Sequence, residues 1–267
     1  MEITLLGTGN AMVTHIYNTC YILSGDSRKI LVDGGGGSGL FTQLEKAGTD
    51  WRTLRNIIVT HKHLDHIMGI IWMVRMIGQH MSEGSYEGEA AFYGHDEVIG
   101  LIRTLSGLLL PEKVTRHLDE RIRLVTLQDG QTIPIAGSDF TFFDIHSTKA
   151  KQFGYVLDPG DGKRIACCGD ETYNESEEAY CRGADWLFHE AFCLYDQRDV
   201  FRPYKKHHST ALDAGRIAES LGVKNLLIYH TEDKTIRNRK ALYTREAARE
   251  YSGNIFVPDD LETIDLS

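Results

Sequence analysis

Three imidazoles and one carboxylate fall within six residues of the segment Thr60-His61-Lys62-His63-Leu64-Asp65-His66. In an extended backbone alternate side chains share a side, so His61 and His63 can grip one ion. Asp65 and His66, entering the helix that follows, can reach a second, and the geometry calls for two metals. Nitrogen and carboxylate donors without thiolate favour Zn²⁺, Mn²⁺ or Fe²⁺ over a cysteine-rich structural site, with Zn²⁺ first. A merely solvated histidine turn would leave the strongly apolar segments on either side of it unexplained.

Those segments are the elements that must hold the donors. Asn56–Thr60 reads as a buried strand ending at His61, and Ile67–Ile77, apolar on nearly every side, as a helix buried between layers. Before them come strands at Ile3–Leu6, Thr19–Leu23 and Lys29–Val32, the last ending in Asp33, and a helix at Gly39–Ala47. Gly34–Gly37 reads as a tight turn, because no Lys-Ser/Thr follows it as in a phosphate-cradling loop. Gln79–Glu89 reads as a solvated loop. Strands are expected at Ala90–Tyr93, Arg121–Leu127, Thr132–Ile135, Phe140–Ile145, Gly154–Leu157, Arg164–Cys168, Trp186–Phe188 and Asn225–Tyr229. Helices are expected at Glu175–Cys181, Thr210–Leu221 and Arg239–Tyr251, and Trp51, Trp72 and Trp186 as core residues. Strand and helix alternate without a repeat or a Pro-rich linker, which predicts an α/β protein with one domain over residues 1–267.

Composition agrees. The chain has 267 residues, 42% hydrophobic and 25% charged, enough to bury a sizeable core. Its 29 Lys+Arg against 38 Asp+Glu give a net charge of −9, which argues against binding long nucleic acid over the whole surface. It holds no run of 18 apolar residues and no signal-type start, so a soluble, cytoplasmic protein without membrane contact is expected. Five cysteines (Cys20, Cys167, Cys168, Cys181, Cys193) without C-x-x-C pairs fit a reduced, buried set.

The run His61-x-His63-x-Asp65-His66 resembles the H-x-H-x-D-H motif of the metallo-β-lactamase-fold hydrolase superfamily without departure. The resemblance extends over nearly the whole chain: Leu6-Gly-Thr-Gly9, Asp33 at a strand end, His146 after a strand, Gly169-Asp170, and His230 after Asn225–Tyr229 arrive in the family's order. It implies a four-layer αββα sandwich of two mixed sheets flanked by helices. By the same likeness His61, His63 and His146 are ligands of one metal, Asp65, His66 and His230 of the other, and Asp170 the bridge. Asp33 matches the acid that orients the histidine loop.

Within the superfamily the chain is similar to ribonuclease Z and its short phosphodiesterase relatives. The likeness rests on Asn18-Thr19, Phe153-Gly154-Tyr155, His189-Glu190-Ala191-Phe192, close to a His-Glu-Ala-Thr segment, and His208-Ser209-Thr210-Ala211, close to a His-Ser-Thr segment. Phe192 and Glu171 replace a Thr of the family pattern. His146 and Asp170 are only 24 positions apart, which leaves no room for the long arm that grips transfer RNA, so tRNA processing is not expected.

The likeness implies metal-activated hydroxide attacking a phosphodiester, with Asp65 orienting it, His208 as general acid and Glu190 supporting His208. The substrate class is then a small or cyclic nucleotide-type phosphodiester or a short RNA end. Two basic stretches flank metal-site residues: Arg198, Arg202, Lys205 and Lys206 precede His208, and Arg237, Arg239, Lys240 and Arg245 follow His230. Phosphate steering and plain solvated surface both remain open readings of them. Ser209 can serve as a helix N-cap, with Thr210 starting the helix, and a homodimer is compatible with the sequence. Two rival chemistries stay open on the same ligands: thioester, lactone or β-lactam hydrolysis, and a non-hydrolytic di-iron protein.

Overall fold

The computed structural model describes residues 1–25 and 28–267. By contacts these fall into two compact units, unit 1 (Met1–Gly7, Tyr17–Gln128, Leu261–Ser267) and unit 2 (Thr8–Ile16, Asp129–Asp260). Among the described residues no helix is long and apolar enough to cross a membrane.

Unit 1 contains β1 (Glu2–Gly7), β2 (Cys20–Gly25), β3 (Arg28–Val32), α1 (Gly39–Lys46), β4 (Asn56–Ile58), α2 (Leu64–Ser82), β5 (Ala90–Gly94), α3 (Asp96–Leu109), α4 (Glu112–Thr115) and β6 (Ile122–Thr126). Its mixed sheet runs from the C-terminal strand Thr263–Asp265 through β1, β2, β3, β4 and β5 to β6. Neighbours are antiparallel as far as β3 and parallel from β3 to β6. Leu31, Ile57 and Phe92 sit side by side in successive parallel strands and are fully buried. They share a core with Ile67, Ile70, Val74 and Ile77 of α2. Helix and sheet approach closely because two glycines meet: a Cβ on Gly69 would lie 1.9 Å from the Gly34 carbonyl oxygen. The glycine turn of the sequence therefore seats α2.

Unit 2 contains β7 (Thr132–Ile135), β8 (Ser138–Asp144), β9 (Phe153–Asp158), β10 (Ile165–Cys167), α5 (Glu178–Cys181), β11 (Trp186–Glu190), α6 (Arg198–Phe201), α7 (Ala211–Leu221), β12 (Asn225–Tyr229), α8 (Arg239–Ala247) and β13 (Asn254–Phe256). The sheet order is β13-β12-β11-β10-β9-β8-β7, parallel from β13 to β10 and antiparallel from β10 to β7. Its core joins Ala166, Leu187 and Ile228 to Ala211, Ala214 and Ala218 of α7. Thr210, rather than Ser209, is the cap of α7, because its side chain and that of Asp213 form a reciprocal box, and Ser209 is buried beside it.

Three expectations change. Gln79–Ser82, read as loop, form the last turn of α2, and the His80 ring packs 4.9 Å from Trp51. Trp72, read as core, is 41% exposed, because a helix apolar on all sides carries no polar stripe to mark its outer face. The last helix stops at Ala247 rather than Tyr251.

Candidate metal centre

In unit 1 the donors are placed by a buried acid. Asp33 follows β3 with a left-handed φ of 57° and is 3% exposed. Its Oδ1 accepts the Thr60 amide (2.8 Å), and its Oδ2 accepts both Thr60 Oγ1 (2.7 Å) and the Nδ1–H of His66 (2.8 Å). One carboxylate thus ties the end of β4 to the first turn of α2.

These bonds also fix tautomers, since a carboxylate only accepts. His66 donates from Nδ1, which leaves its Nε2 as the metal-type donor, 3.5 Å from Asp65 Oδ2. Thr60 Oγ1 spends its proton on Asp33 and accepts from His61 Nδ1 at 3.0 Å. His61 Nε2 then faces His63 Nδ1 at 2.9 Å. Two imidazole nitrogens aimed at one another beside a histidine–carboxylate pair are the donor set a divalent cation takes, so the residues fit the group.

In unit 2 the donors stand at one edge of the sheet. Asp170, Glu190 and His230 lie at the carboxyl ends of the parallel strands β10, β11 and β12, where open α/β sheets place their ligands. Tyr229, fully buried, donates its hydroxyl to the Gly169 carbonyl at 2.7 Å and so ties the Asp170 turn to β12. His230 (φ 57°) points Nε2 to within 3.4 Å of Asp170 Oδ2. Glu190, His208 and His230 bring one donor atom each within 4.8 Å of one another.

His208 stacks on Phe192, with ring centroids 4.8 Å apart. Its Nδ1 is 3.6 Å from Glu190 Oε2, and Glu190 accepts the Ser209 amide. Burial pushes the Glu190 carboxyl up to about 7 and the His208 imidazole down to about 4. His208 is therefore neutral at ordinary pH, while Glu190, poised near 7, divides between acid and carboxylate there, so the two do not form a fixed ion pair. His146 follows β8 with φ 54°, is exposed, and among the described residues belongs to none of the close donor groups.

Two residues that the sequence reading passed over belong to this half. Lys149 Nζ lies 3.4 Å from His208 Nε2 and 3.4 Å from Glu171 Oε1, and Ser147 donates to that carboxylate at 2.6 Å. The signal was the departure at Glu171 itself: an added acid implies a compensating cation, and Lys149 is the one that meets it. Of the basic stretch before His208, Arg198 and Lys206 lie over the rings of Tyr195 and Phe192, which supports the plain surface reading for those two.

The sequence profile of a family described as "Anti-Pycsar protein Apyc1" matches residues 1–235. Ribonuclease Z of Pseudomonas putida strain KT2440 is 28% identical over an alignment of 313 positions that covers 100% of this chain and 97% of the relative. The alignment exceeds this chain's 267 residues, so that enzyme carries stretches with no counterpart here. Among solved structures, the metallo-β-lactamase fold protein YhfI from Bacillus subtilis superposes with a TM-score of 0.78 at 20% identity, over 98% of each chain. A structure described as a new diphosphatase from the PhnP family aligns with a TM-score of 0.72 at 17% identity, over 98% of this chain and 96% of that one. The fold, two mixed sheets flanked by helices, is the metallo-β-lactamase fold.

Proposed function

Since this chain belongs to the Anti-Pycsar protein Apyc1 family and is ribonuclease Z-like, we propose that it is a metal-dependent phosphodiesterase acting on a small or cyclic nucleotide-type phosphodiester or a short RNA end. The observation that carries this reading is the tautomer control by Asp33, which turns His66 Nε2 and His61 Nε2 into donors before any ion arrives. The proposed ligands are His61, His63 and His146 for one cation, Asp65, His66 and His230 for the other, and Asp170 for both. Zn²⁺ is the first candidate. Two such cations, when bound, supply Lewis acidity and water acidified toward neutral pH.

The side chains do the rest. Asp65 orients the attacking oxygen, and His208, at the start of the α7 cap, returns a proton to the leaving alkoxide with Glu190 as its proton partner. Lys149, beside His208 Nε2, offers its charge to the phosphate. The short spacing from His146 to Asp170 and the extra stretches of the P. putida enzyme favour a substrate smaller than transfer RNA. Five buried cysteines without a disulfide support a reducing, cytoplasmic setting.

The test is elemental analysis of the purified protein, paired with hydrolysis of a chromogenic phosphodiester after chelation and after adding back Zn²⁺ or Mn²⁺. Two metals per chain with restored cleavage is the expected result. Metal without phosphodiester cleavage would overturn the substrate class and move the activity to ester, thioester or lactone cleavage.

A further inference from the structure

The basic stretch after His230 is divided by the structure into separate tasks. Arg239, 1% exposed, donates to Thr8 Oγ1 (2.7 Å), Thr231 Oγ1 (2.9 Å) and the Pro258 carbonyl, locking the loop from inside. Lys240 pairs with Asp259 at 3.2 Å. Arg237 has no hydrogen-bond or ion-pair partner among the described residues. It lines a cavity of about 500 Å³ with His15, Asp233, Lys234, Ile236, Asn238 and Leu242, among others.

The two acids of this loop are used up by internal bonds. Glu232, 3% exposed, accepts the amides of Lys234 and Thr235 and the Thr235 hydroxyl. Asp233 Oδ2 accepts the amides of Thr14 (2.6 Å) and His15 (3.0 Å) and the His15 Nδ1–H (2.9 Å), while Lys234 Nζ lies 3.1 Å from Oδ1. Burial alone would push the Asp233 carboxyl up, yet these donors hold it well below the usual carboxylate range. Its charge is matched by Lys234, and His15 spends Nδ1 on it. The Arg237 guanidinium then sets the sign of the cavity, in a chain whose net charge is −9.

We propose that this cavity is a phosphate-binding site, with Arg237 gripping the oxygens as a fork and the Asn238 side-chain amide completing the contact. Its volume lies within the roughly 300–1,000 Å³ usual for small-ligand sites, and Ile236 and Leu242 add an apolar wall. A nucleoside monophosphate and free phosphate offer the same recognised group. The site uses none of the proposed metal ligands and stands whether or not the hydrolase reading holds.

The experiment titrates inorganic phosphate into ¹⁵N-labelled holoprotein at constant ionic strength, then a nucleoside monophosphate and the matching nucleoside. Saturable amide shifts at His15 and from Lys234 to Asn238 are expected. Arg237→Ala should weaken them about tenfold or more, as loss of a charge-assisted bond does. Arg237→Lys should restore part of the affinity, and His63→Ala should leave it in place. Tighter binding of the monophosphate than of phosphate, with none by the nucleoside, identifies a nucleotide as the ligand; equal binding identifies free phosphate. Shifts that map to other residues, survive Arg237→Ala, or are reproduced by chloride at the same ionic strength would overturn the proposal. Arg237 is exposed, and unchanged amide positions elsewhere in the spectrum verify that its variants are folded.

Discussion

The two units build their donors by opposite means. Unit 1 draws four of them from one stretch of six residues, held by a single buried carboxylate that makes three hydrogen bonds. Unit 2 collects its donors from the ends of separate strands, and at its hub burial pushes the Glu190 carboxyl up to about 7. A saturated acid fixes geometry and tautomer; a protonated one can surrender a proton. Under the proposed function, the contrast suits Asp33 to orienting ligands and Glu190 and His208 to moving a proton.

The strongest break of that contrast is His63→Ala, which removes a donor rather than an orienter. Metal content should fall together with all measurable phosphodiesterase activity, and survival of both would refute the ligand assignment. Next comes His208→Ala, which should lower kcat by about 10²–10⁴-fold, the range for a lost general acid, with metal content unchanged. A fall in metal content as large as that of His63→Ala would instead make His208 a ligand.

Asp33→Asn sharpens the contrast from the other side. Asn tolerates the left-handed backbone but cannot accept every proton that Asp33 now takes, so metal affinity should drop about 10–100-fold with the melting temperature nearly unchanged. Competition with a chelator reads the difference. Affinity equal to the parent's would show that Asp33 only packs.

The mildest effect concerns stability. Burial pushes the Glu177 carboxyl of unit 2 up to about 8, so the folded chain keeps a proton that the unfolded chain releases near its ordinary value. The contribution of this one group should therefore be full below about 4.5 and decline as pH rises toward 8, by at most roughly 1.4 kcal/mol per pH unit. Glu177→Gln lacks that proton and should gain on the parent in melting temperature between pH 5 and 8. Parallel curves would show that the carboxyl is already ionised in the folded state.

The same difference governs what could be read from the chain alone. The histidine run was legible because its neighbours in sequence are its neighbours in space, with an apolar strand before it and an apolar helix after it. Asp170, His146 and His230 carry no local mark and came only through family likeness. Lys149 escaped because its meeting with Glu171 depends on how two strand-end loops close. The outward face of Trp72 and the continuation of α2 through Ser82 escaped because neither is encoded by periodicity in a helix that is apolar all round.

Asp33, His146 and His230 all sit in left-handed backbone just past a strand. For non-glycine residues that conformation costs on the order of 1–2 kcal/mol each, a sum comparable to a sizeable part of a domain's net stability. Selection for thermal robustness alone would favour glycine at those positions, and the proposed chemistry would not. These corners are therefore where a stability-driven engineering campaign would most readily trade the protein's activity for its melting temperature.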